Sequence, residues 1–135
     1  MTGVRSHRDL IAWQEAMGLV ETVYQHTLGF PRDEVYGLAV QMRRSAVSVP
    51  LNIAEGAARN SSREFYQYLG VATGSLAELE TQLELASRLG YLPRDSAALQ
   101  HVHRVGRLVN ALRNSIGRRV GQPQRSAAQP HAFST

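Results

Sequence analysis

The sequence predicts an all-α fold, an antiparallel up-down-up-down four-helix bundle, and three observations lead there. Apolar residues recur at steps of three and four in four long stretches. No segment alternates convincingly with period two, and Gly, Pro and Ser punctuate the gaps between stretches. Four amphipathic helices joined by short loops bury their stripes most simply in a bundle. A chain of 135 residues with 43% hydrophobic content has room for one domain with its own core.

The first helix is expected from about Asp9 to Thr27, with Leu10, Trp13, Met17, Val20 and Tyr24 as its apolar stripe. Leu28-Gly29-Phe30-Pro31 ends it. The second is expected from about Asp33 to Arg59. Val35, Leu38, Met42, Ala46, Val49 and Ile53 form one stripe, and Val40, Val47, Leu51, Ala54 and Ala58 form another, rotated by roughly 130°. Two stripes mean burial on two sides, by a central position or by a second subunit. Pro50 lies inside this helix and predicts a kink near Ala46–Pro50 rather than a break, because the periodicity continues past it.

The third helix opens at Ser61, whose spacing to Glu64 is that of a capping box. Phe65, Leu69, Ala72, Leu76, Leu79, Leu83 and Ala86 carry its stripe, and Gly90 with Pro93 ends it. Gly70 and Gly74, each costing about 1 kcal/mol relative to Ala, predict close approach of a neighbouring helix. Val71, Leu85 and Leu89 fall off the stripe and offer a second contact. The fourth helix starts near Asp95 or Ser96, buries Val102, Val105, Val109, Leu112 and Ile116, and ends near Val120-Gly121. The expected organisation is an N-terminal arm over residues 1–8, the bundle over 9–120 and a disordered tail over 121–135.

Composition removes several function classes. Cys is absent, which excludes disulfides, thiolate metal sites and cysteine nucleophiles. The first 25 residues lack the apolar core of a signal peptide, and no run is long enough to span a membrane. A cytoplasmic protein is therefore expected. All fifteen cations are Arg, a choice that fits GC-rich coding as well as phosphate recognition. Residues 1–95 hold nine Arg and eleven acids, a net charge of −2, whereas residues 96–135 hold six Arg and no acid, a net of +6. Such asymmetry points to an anionic partner.

Few residue patterns suggest chemistry. Arg44, Ser48, Asn52, Glu55 and Arg59 form one polar row on the second helix, with Arg43 on the flank of the second apolar stripe. The row suits a hydrogen-bonded helix or subunit contact, or else a polar binding surface. Glu55 and Arg59 have favourable ion-pair spacing, yet one carboxylate without a partner acid, nucleophile or metal specifies no reaction. Glu80 and Glu84 share a face that reads as solvated or salt-bridged. His101 and His103 lie roughly 200° apart on a helix and cannot chelate one metal. No phosphate-binding glycine loop, nucleophile elbow or zinc-protease motif occurs, so neither enzyme, cofactor nor metal is expected. Opposite the apolar stripe of the fourth helix lie His103, Arg104, Arg107, Asn110, Asn114 and Arg118, with Arg119 at the edge. This row suits phosphate contact, a solvated face, or pairing with acids of the third helix.

The run Gln41-Met42-Arg43-Arg44-Ser45-Ala46-Val47-Ser48-Val49-Pro50-Leu51-Asn52-Ile53-Ala54-Glu55-Gly56-Ala57-Ala58-Arg59 closely resembles the signature of the bacterial four-helix-bundle proteins known as 23S rRNA intervening-sequence proteins. Asp9-Leu10 with Trp13, Phe30-Pro31 with Glu34, Gly74-Ser75-Leu76 with Glu78 and Leu79, and Gly90-Tyr91-Leu92 extend the match over roughly residues 8–118. Ser45 stands where Ala is more usual. The resemblance implies a closed bundle that assembles into a homopentamer. Some members are encoded within insertions in 23S rRNA genes. A related branch, the accessory variability determinant of diversity-generating retroelements, is a basic pentamer that binds nucleic acid and partners a reverse transcriptase. Most members have no established activity.

Two functional expectations follow. The leading one is a non-enzymatic homo-oligomer that binds RNA or DNA backbone through Arg104, Arg107, Arg118 and Arg119, with Arg113 and Arg125 as weaker contacts. In it, Arg43, Arg44, Ser48, Pro50, Asn52, Glu55, Gly56 and Arg59 build the subunit contact or the bundle's bent end, and Gly56 lets a neighbouring backbone approach. The other is a protein-interaction scaffold, such as an adaptor for a nucleic-acid enzyme, whose Arg row meets an acidic partner.

Overall fold

The computed structural model describes residues 6–34 and 37–121. A 3-10 turn at His7–Asp9 precedes α1 (Ile11–Thr27), and a second at Arg32–Glu34 precedes α2 (Leu38–Ala57); α3 (Ser62–Arg88) and α4 (Ala97–Gly121) follow. The fold is all-α, with no strand among the described residues. Each helix packs on two others, α1 and α3 both contacting α2 and α4. One continuous apolar core lies between them, and Leu19, Met42, Ile53, Leu69, Leu79, Val105 and Val109 are fully buried in it.

α3 follows its sequence pattern residue for residue, with all seven stripe positions buried. The Ser61 hydroxyl accepts from the Glu64 N–H at 3.1 Å, satisfying one free donor of the first turn. At the other end Gly90 takes φ +83°, while the Gly90 and Tyr91 N–H groups return to the Ser87 and Ala86 carbonyls at 3.0 and 2.8 Å. This Schellman closure needs a residue free of the Cβ clash at positive φ.

α1 differs from its expected face. Its buried residues are Ala12, Ala16, Leu19, Val23 and Thr27. Trp13 and Val20 are half-buried, and Met17 and Tyr24 are each 44% exposed. Bulk misleads here, because alanines let the helix lie close to its neighbours. Thr27 can be buried because its hydroxyl donates to the Val23 carbonyl at 2.8 Å.

α2 begins at Leu38 rather than near Asp33. The Glu34 side chain accepts from the Leu38 N–H at 3.0 Å and so acts as the helix's N-terminal acceptor. A Cβ at Gly37 would stand 2.8 Å from that Glu34 oxygen, so glycine leaves room for the carboxylate. The helix then runs unbroken through buried Pro50. Of its first stripe, Met42, Ala46, Val49 and Ile53 are buried and Leu38 is half-buried, while Val35 lies outside the described residues. The second faces outward, with Val40, Val47 and Ala54 half-buried, Leu51 57% exposed and Ala58 exposed. On α3, Val71, Leu85 and Leu89 are likewise exposed. Gly74 has open space where a Cβ would be, so no helix among the described residues approaches it closely.

Glu34 also joins the α1–α2 connection to the α3–α4 connection. Its second oxygen accepts from the Tyr91 hydroxyl at 3.1 Å, and the Tyr91 ring lies 5.3 Å from that of Phe30. Partial burial, then the hydrogen bond and charge of Glu34, raise the Tyr91 pKa above 10.0. The raised value means that this phenol favours the folded state while protonated, below pH 10, and ceases to as pH rises through its folded pKa. Tyr91→Phe should therefore lower the thermal midpoint at neutral pH, and the gap to wild type should narrow above about pH 10, as followed by circular dichroism.

Candidate nucleic-acid interface

α4 carries the expected basic row, and its neighbours divide it. The Ser96 hydroxyl accepts from the Ala98 N–H at 3.1 Å at the start of the helix. Ala98, Val102, Val105, Val109 and Ile116 then hold it to the core. In the N-terminal half two members of the row, His103 and Arg104, are partnered among the described residues, whereas Arg107 is not. Arg104 donates to Glu15 of α1 at 3.1 Å, and His103 donates to Glu80 of α3 at 3.1 Å. The acids absent from α4 are thus supplied by the flanking helices. Arg107 and Arg118 are exposed and have no hydrogen bond, ion pair or ring contact among the described residues. Arg107 edges a groove of about 390 Å³ between α3 and α4, together with Thr73, Glu80 and Asn110. Arg119 is exposed beside Arg118.

Arg113 has a different position. Its Nε donates to the Tyr66 carbonyl at 3.2 Å, and its guanidinium lies 3.9 Å from the centre of the Tyr66 ring. It also fills the space a side chain at Gly70 would need, since a Cβ there would be 2.8 Å from Arg113. The close approach expected at Gly70 is therefore made by this side chain and not by a helix backbone. Arg113 wedges α4 against α3. Arg125 lies outside the described residues.

The α2 row is also split. Ser48 shares a 2.7 Å hydrogen bond with buried Ser75 of α3, and the Asn52 amide donates to the Ser48 carbonyl and hydroxyl at 2.8 and 3.0 Å. Gly56 leaves room for α3, because a Cβ there would stand 2.8 Å from both Phe65 and Tyr68. The spacing of Glu55 and Arg59 does not yield an ion pair. Arg59 turns instead to the Tyr68 hydroxyl, donating at 2.6 Å and lying 5.0 Å from the ring centre. Arg43 reaches α1, donating to Thr27 at 2.9 Å and lying over Tyr24 at 4.8 Å. Arg44 and Glu55 stay unpartnered among the described residues, on the rim of an open groove of about 560 Å³ whose apolar wall is Val40, Val47 and Leu51.

His101 and His103 diverge as their spacing requires, His101 bonding Thr22 of α1 at 3.0 Å and His103 reaching α3. Among the described residues no group of three or more His, Asp or Glu is placed to hold a metal ion, and no helix is long and apolar enough to cross a membrane. Sequence reasoning passed over Arg63, an exposed cation in the first turn of α3. Its signal was available, since the helix macrodipole disfavours a cation at that end.

A family model described as 23S rRNA-intervening sequence protein matches residues 8–111, most of the chain. No curated protein matches it.

The division of the cations is open to measurement. Arg113→Ala should cost about 1–2 kcal/mol in urea unfolding through lost packing and ring contact. Arg107→Ala and Arg118→Ala should each stay within about 0.5 kcal/mol of wild type.

Proposed function

This chain belongs to the 23S rRNA-intervening sequence protein family, and on that premise we propose that it is a non-enzymatic, self-associating protein that binds the backbone of RNA or DNA. The observation that carries the reading is the cation set of α4. Arg107 and Arg118 are exposed and unpartnered among the described residues, and residues 96–135 contain no acid to neutralise them. Phosphate is the anion that a planar guanidinium fork serves best. Binding proceeds mainly by counterion release, with little base discrimination. Arg104 contributes less than its neighbours because Glu15 already holds it.

The helices of this reading run antiparallel. Glu15 meets Arg104 whereas Thr22 meets His101, and Gly70 meets Arg113 whereas Glu80 meets His103. Ser48 meets Ser75 whereas Gly56 meets Phe65. In each helix pair the later residue of one faces the earlier residue of the other. Self-association uses the outward stripe of α2, whose Val47 and Leu51 line an unfilled groove. The number five rests on family resemblance alone. A ring of copies multiplies a weak phosphate patch into an avid one.

Fluorescence anisotropy with labelled RNA and DNA at several salt concentrations tests the binding. The Arg104, Arg107, Arg118, Arg119→Ala variant should bind about tenfold or more weakly and with a shallower salt dependence. Absence of wild-type binding at low salt, with assembly intact, would overturn it in favour of a protein-interaction scaffold. Light scattering tests self-association. Val47→Glu with Leu51→Glu should reduce the solution mass to 14.9 kDa, and a wild-type mass already at that value removes the assembly.

A further inference from the structure

We infer that the phosphate-binding surface continues beyond α4, turning across the adjoining end of the fold onto Arg59 and Arg63. The inference rests on the nucleic-acid reading above and extends its footprint to the α2–α3 turn and the first turn of α3. Three helix ends meet at this place. A Cβ at Gly117 of α4 would stand 2.8 Å from the Tyr66 ring of α3, and one at Gly56 of α2 would stand 2.8 Å from Tyr68 of α3. Residues 56–68 and 113–121 are therefore neighbours in space although far apart in sequence. Together they hold Arg59, Arg63, Arg113, Arg118 and Arg119 against one acid, Glu64. Glu55 stands one turn further back on α2.

Arg63 is the most telling member. It sits in the first turn of α3, where the helix macrodipole repels a cation, and it has no partner among the described residues. Within this chain it makes no stabilising contact among the described residues, whereas a phosphate would offset its cost at that helix end. By contrast, Arg118 and Arg119 lie in the last turn of α4, where the dipole favours them with or without a ligand. Arg59 is exposed but pinned by the Tyr68 hydroxyl at 2.6 Å and by the Tyr68 ring. A guanidinium already held in place loses little freedom when a phosphate joins it, and its remaining N–H groups can donate as a pair. The opposite end of the fold offers no such surplus, since Asp33, Glu34, Glu84 and Asp95 accompany Arg32, Arg88 and Arg94 there.

The test measures binding of labelled polyuridylate by anisotropy over a range of NaCl concentrations. The variants are Arg63→Gln, Arg59→Gln/Arg63→Gln, Arg107→Ala/Arg118→Ala and, at the opposite end, Arg32→Ala/Arg94→Ala. Arg63→Gln removes a cation that the helix dipole disfavours, so its fold is preserved; circular dichroism verifies all four. Each lost phosphate contact should flatten the log–log salt slope by about 0.7 on a single strand. The expected result is a flattening of about 0.7 for Arg63→Gln and about 1.4 for the double end variant, with the opposite-end variant unchanged. Wild-type slopes in both end variants, with a flattened slope in Arg107→Ala/Arg118→Ala, overturn this inference and leave the α4 reading standing. No salt-dependent binding by wild type overturns both.

Discussion

The seam between α2 and α3 is the contact on which the rest of the molecule depends. Gly56 has no side chain because Phe65 and Tyr68 occupy the space it would need. Just over two turns away, the partly buried Ser48–Ser75 hydrogen bond fixes the register of the same two helices. A slip would strand two hydroxyls and push a ring into a backbone, costs of the order of 1–3 kcal/mol each. With that register set, α3 presents Gly70 and Tyr66 to α4, and Arg113 locks the second seam. Within the polar row of α2, Ser48 and Asn52 thus join Gly56 in fixing the register of the two helices.

Arginine serves two purposes in this chain. Arg43, Arg59 and Arg113 each lie over a tyrosine ring and donate to a hydroxyl or carbonyl oxygen, joining neighbouring helices. Lysine could not do this as well, because it lacks the planar face and the fixed fork. Arg63, Arg107 and Arg118 are directed to solvent. The same residue type therefore supplies structure and an electrostatic surface, and a net charge of +4 does not reveal how the two are divided.

Much of the fold was legible because its determinants are local. The α3 stripe from Phe65 to Ala86, the Ser61 cap and the Gly90 stop all follow from spacing and backbone chemistry within a few residues. The outward stripe of α2 was legible too, as a second apolar face on one helix. α1 was misread because its core face is built of Ala and Thr, so the larger Met17 and Tyr24 dominated the pattern. The start of α2 was misread because Glu34 caps it from outside the helix across a glycine.

The sequence by itself determined four helices, their order, three of their four core faces, and a basic final helix. Only the tertiary structure decided which cations remain unpartnered. Glu15 lies 89 positions from Arg104 and Tyr66 lies 47 from Arg113. Periodicity reports which way a residue faces on its own helix, but not what stands opposite. That depends on the register between helices, set here by Gly56, Gly70, Gly117 and the Ser48–Ser75 bond. The same register brings Arg59 and Arg63 to the end where α4 finishes, a proximity that no local pattern encodes.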